Sequence, residues 1–70
     1  MNYNRTIETS WSDGISVDVR EQDNLTTITV VEDGEHKSID LTEKELRLLK
    51  SRLTEAVNTV MLNKSERGRA

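Results

Sequence analysis

The chain has no cysteine, so neither a disulfide nor a thiolate metal site can staple it. Its single histidine excludes an imidazole cluster, and the absence of proline leaves no rigid break to mark a linker. Aromatics are scarce, with one tryptophan, one tyrosine and no phenylalanine, so Leu, Ile and Val must build whatever core there is. The three glycines stand apart from one another, which excludes a glycine-rich phosphate loop. No apolar run approaches the roughly 20 residues that cross a bilayer. The stretch MNYNRTIETS has neither the basic flank nor the apolar centre of a secretory signal, so a cytoplasmic location without a membrane partner is expected.

What remains is a chain of 70 residues, one domain at most. One third of it is charged and one third apolar, the balance of a globular domain rather than of a disordered chain. A chain this short buries only about 60% of its unfolded surface, so its core is thin and self-association is the staple still open to it. The net charge of −3 argues against a general affinity for nucleic acid.

The glycines carry the punctuation. Asp33-Gly34, between two alternating stretches, predicts a two-residue hairpin turn that pairs Glu32 with Glu35, Val30 with Lys37, Ile28 with Ile39 and Thr26 with Leu41. Ser12-Asp13-Gly14 reads as a three-residue loop with Gly14 left-handed, pairing Trp11 with Ile15, Thr9 with Val17 and Ile7 with Val19. Asp23-Asn24 reads as a turn that pairs Gln22 with Leu25, Val19 with Ile28 and Val17 with Val30. Every register gathers the larger apolar groups on one face. The other face collects Thr, Ser, Asp and Glu side chains in an ordinary solvated pattern.

Thr42-Glu43-Lys44-Glu45 is a capping box, and Leu41 and Leu46 flank it as a hydrophobic staple. Leu46, Leu49, Leu53, Ala56, Val57, Val60 and Met61 then recur at spacings of three and four, which predicts one amphipathic helix over about residues 42 to 62. The expected fold is therefore α+β, a four-stranded antiparallel meander with one C-terminal amphipathic helix packed on one face (ββββα). Residues 1–63 form the single domain in this reading, and 64–70 a flexible basic tail. A helix is about 10 Å wide with its side chains, and four strands span nearly twice that. Either Trp11, Tyr3 and the stem of Lys37 close the remainder or a second copy of the chain does, and a homodimer is expected.

No catalytic constellation emerges. His36 and Ser38 share one side of a strand without a third partner, and Glu8, Asp18 and Asp40 lack a pocket that would raise a pKa. Glu32, Asp33 and Glu35 lack the oxygen-ligand spacing of a calcium loop and read as solubilising charge. The expectation is a protein that is not an enzyme, with no cofactor, metal or catalytic residue.

The segments ISVDVRE and KSIDLTEKELRLLKSRL, a strand and a strand running into a helix, resemble the transcriptional positive cofactor four family of single-stranded-DNA-binding proteins. The resemblance covers about 50 residues and implies four strands and one helix, dimerisation through the helices and single-strand binding on a basic sheet surface. Lys37 matches the family's strand lysine and Arg20 stands near another basic position, while Leu46 occupies a place where the family tends to have tryptophan.

The leading functional expectation is a small non-catalytic binding module that acts by protein–protein contact in a regulatory or inhibitory role. Its size and acidity also suit the accessory proteins that phages make to occupy a host factor. The candidate contacts are Asp18, Arg20 and His36 on the polar sheet face and Leu48, Arg52 and Glu55 on the helix flank, where Leu62 adds a second apolar group. The alternatives are a single-stranded nucleic-acid-binding transcription regulator using Arg20, Lys37, Lys64, Arg67 and Arg69, and a self-assembling structural subunit.

Overall fold

The computed structural model describes residues 1–67. Four strands, β1 (Tyr3–Glu8), β2 (Gly14–Val19), β3 (Thr26–Glu32) and β4 (Glu35–Leu41), precede one helix, α1 (Glu43–Arg67). The strands pair in chain order as one antiparallel sheet, so the ββββα meander expected from the sequence is the architecture observed.

The third hairpin has the expected register, with Glu32 opposite Glu35, Val30 opposite Lys37, Ile28 opposite Ile39 and Thr26 opposite Leu41. Asp33 at φ 50° and Gly34 at φ 79° are both left-handed, as a two-residue turn matched to the strand twist requires.

The other two hairpins correct the expected pairing. β1 and β2 pair Ile7 with Ile15, Arg5 with Val17 and Tyr3 with Val19, a slip of four residues. Ser12, at φ 64°, takes the left-handed position expected at Gly14. The Thr9 amide donates to the Asp13 carbonyl at 2.9 Å and closes a longer loop, which carries Trp11 out of the sheet. β2 and β3 pair Val17 with Ile28 and Val19 with Thr26, a slip of two. Here the loop runs from Arg20 to Leu25, with Asn24 at φ 56° and the Asp23 carboxylate accepting from the Leu25 amide at 3.0 Å. Both slips are even, so no side chain changes face, and the hydrophobic pattern has no power to choose between these registers.

One sheet face thus carries three cross-strand rows: Tyr3, Val19, Thr26, Leu41; then Arg5, Val17, Ile28, Ile39; then Ile7, Ile15, Val30, Lys37. α1 starts beside the first row, directly after Leu41. Its capping box forms as expected, with the Thr42 amide donating to Glu45 Oε1 at 2.9 Å and the Glu45 amide donating to Thr42 Oγ1 at 3.3 Å. These bonds, the Thr42 amide above all, hold the Glu45 carboxyl below its ordinary value of 4.5. A depressed carboxyl lends stability that is present above the unfolded value and lost as pH falls through the folded one. Helix content measured by circular dichroism is therefore expected to decline on acidification below the ordinary value, and Glu45→Gln to remove that part of the decline. Matching acid titrations of the two chains would exclude the contribution. Thr42→Ala is expected to cost about 1 kcal/mol at neutral pH.

The helix does not stop near residue 62. It continues to Arg67, so Lys64 and Arg67 form its basic last turn, where cations suit the carbonyl end of the helix dipole.

Packing is where this chain departs from an ordinary domain. Among the described residues only Thr26 is buried, at 2% exposure, and no apolar side chain is. Leu46 and Leu49 are half-buried against the sheet, but Leu53, Val57, Val60 and Met61, one continuous stripe, are all more than half exposed. Trp11 is 84% exposed and Tyr3 46%, with the Arg5 guanidinium over the Tyr3 ring. Lys37 is exposed as well, so none of Trp11, Tyr3 and Lys37 closes the sheet.

Candidate functional site

The polar sheet face is largely self-satisfied. Thr6 bonds Ser16 at 3.1 Å and Thr29 bonds Ser38 at 2.8 Å, which makes one row of hydroxyls across all four strands. In the adjacent row Asn4 donates to Asp18, and Thr27 donates to Asp40 at 2.6 Å. Arg20 lies between Asp23 at 3.5 Å and Asp40 at 3.6 Å, in pairs that stay half in water and contribute little to stability.

The six candidate contact residues divide into two groups. Asp18 and Arg20 share the polar face with Asp40, and His36 sits exposed on that face at the other end of β4. Leu48, 53% exposed, lies beside Arg52 and Glu55 on the side of α1 turned away from the sheet. There Arg52 Nη1 donates to both Glu55 carboxylate oxygens at 3.0 Å. The two groups point in opposite directions and do not form one surface.

The basic residues are no closer to one another. Lys37 stands on the apolar face opposite Val30, Arg20 is on the polar face among carboxylates, and Lys64 and Arg67 end the helix. Arg69 lies outside the described residues. Among the described residues, no three of His, Asp and Glu are grouped to hold a metal ion, and no helix is long and apolar enough to cross a membrane.

A different surface dominates the geometry. Between the sheet and α1 lies an open cleft of about 660 Å³. The sheet contributes Ile7, Ile15, Val17, Ile28 and Val30 to its floor. The helix contributes Leu46, Leu49, Leu53 and Val57 to its wall, with Lys50, Thr54 and Asn58 at the rim. The helix crosses only part of a sheet nearly twice its width, and the uncovered strands face the same opening as Leu53 and Val57 of the stripe. Sequence arithmetic registers the shortage of cover. It does not reveal that floor and wall make one concave site, because that depends on how the helix leaves Leu41.

Chemically the cleft is lined by aliphatic side chains apart from Lys50, Thr54 and Asn58. Its dominant property is apolar surface from which a partner can displace water. Each aliphatic side chain that goes from exposed to fully buried contributes about 1.5 to 3 kcal/mol, so a partner covering several of them would gain a substantial favourable free energy. Neither a family model, a curated protein nor a solved structure matches the chain.

Proposed function

We propose that this chain is a small non-catalytic binding module, homodimeric, that works by protein–protein contact in a regulatory or inhibitory role. One observation carries the reading: the apolar sheet face and helix stripe remain open to water in the single chain, as a concave surface of the kind that receives an amphipathic helix. Exposed apolar patches of this extent on small proteins mark interaction sites rather than idle surface. The polar sheet face and the flank at Leu48, Arg52 and Glu55 point away from the cleft and are free for a second contact.

The test is capture from a cell lysate on immobilised protein, with and without nuclease, beside a Val57→Glu chain. Val57 is 61% exposed and lines the cleft, so this substitution should leave the isolated fold intact. Proteins retained through nuclease treatment by the parent chain and lost with Val57→Glu are the expected result. Retention that depends on nucleic acid would overturn the reading in favour of the single-strand-binding alternative.

A further inference from the structure

We infer that the cleft between sheet and helix binds a medium-chain fatty acid, with its carboxylate on Lys50 and its chain along Leu53 and Val57, and that this ligand regulates the protein contact by occupying the same surface. The regulation rests on the protein-contact reading, whereas the binding stands apart from it.

Three observations lead to this ligand. The first is where the cleft is open. Its end at Leu46 and Leu49 is already half-buried, as are Val17 and Ile28 on the floor. The open part is made by Leu53 and Val57, at 57% and 61% exposure, and by Ile7, Ile15 and Val30 of the third cross-strand row. All five side chains are aliphatic, so an alkyl chain laid among them leaves water for hydrocarbon along its whole length.

The second is charge. Among the described residues that line the cleft Lys50 alone is charged, and it forms no salt bridge with another described residue. It stands where the half-buried end of the cleft gives way to the open one, one turn before Thr54. The Thr54 hydroxyl donates to the Lys50 carbonyl at 2.9 Å and is occupied as a donor, which leaves the Lys50 ammonium as the group that receives an anion. One negative charge on an otherwise apolar body is complementary to that distribution.

The third is size. The cleft volume of about 660 Å³ lies within the roughly 300 to 1,000 Å³ of sites for small molecules, which likewise set a few polar groups in an apolar lining. From Lys50 to Asn58 at the far rim the helix rises about 12 Å. A fully extended chain advances about 1.2 Å per bond, so about ten carbons fill that length.

The test is calorimetric titration of the full chain with octanoate, decanoate and dodecanoate below their micelle concentrations. From octanoate to decanoate the affinity is expected to rise up to about fourfold per methylene, the factor for burying one CH₂ group, and to gain less beyond. Lys50→Met is expected to weaken decanoate about three- to fivefold and to leave 1-decanol unchanged. Lys37→Met, on the same sheet face but outside the cleft lining, should change neither. No uptake of decanoate, as when a second copy holds the cleft, would overturn the inference. So would uptake indifferent to chain length and to Lys50, or binding only to phosphatidylglycerol vesicles. For the regulation, decanoate added during lysate capture is expected to release the proteins whose retention depends on Val57. Decanoate bound with those proteins still retained would overturn the regulation. A captured protein without decanoate binding would overturn this inference and leave the wider reading standing. Decanoate binding to a chain that captures nothing would do the reverse.

Discussion

Leu53→Glu is expected to abolish self-association at micromolar concentration and to remove the concentration dependence of thermal unfolding. In the isolated chain Leu53 is 57% exposed, so a carboxylate there would have water around it and the effect on stability should stay within about 0.5 kcal/mol. If two copies associate along this stripe, as the proposed function holds, the carboxylate would instead sit among aliphatic side chains of the other copy. Unpaired charge in such a place costs about 3 to 5 kcal/mol, which corresponds to a loss of affinity of roughly 100- to 5000-fold. Sedimentation equilibrium measures the affinity. Calorimetry at several protein concentrations measures the linkage, because a dimer melts at a temperature that rises with concentration and a monomer does not. Unchanged mass and melting in the variant would mean that the stripe is not an interface.

Gly34→Val is expected to destabilise the sheet by about 2 kcal/mol, whereas Gly14→Ala should cost little. Gly34 sits at φ 79°, where a β-branched residue is strained whatever space surrounds it. The turn it forms sets the register of β3 and β4, so the strain falls on the pair that leads into the helix. Gly14 is not left-handed, and a Cβ added there would lie 3.4 Å from the Ile7 carbonyl oxygen, a close but tolerable contact. Denaturant midpoints for the two variants check the contrast. If Gly14→Ala proved the more harmful, the short three-residue loop would be the better account of the first hairpin.

That contrast shows which parts of the fold were legible. Asp33-Gly34 was readable because a two-residue turn needs both residues left-handed, and few dipeptides permit that. The loops at Ser12 and Asn24 were not, because polar residues took the left-handed positions while even slips left every face unchanged. The start of α1 was legible in the reciprocal bonds of Thr42 and Glu45. Its end was not, since the apolar stripe stops at Met61 but the following Lys64 to Arg67 turn needs no core contact to stay helical. The cleft was visible only as a shortfall in cover. The candidate residues chosen for polarity, Asp18, Arg20, Arg52 and Glu55, proved to be bonded to neighbours within their own surfaces.

The strand order has a kinetic consequence. Each strand pairs with the next one in the chain, so none of the sheet's pairings has to wait for a long segment to find its way back. Such low contact order places folding nearer milliseconds than seconds, with closure of the Asp33-Gly34 hairpin among the microsecond events that come first. Docking of two copies would then be a second-order step. Refolding traces should separate into a fast phase that ignores protein concentration and a slower one whose rate rises in proportion to it.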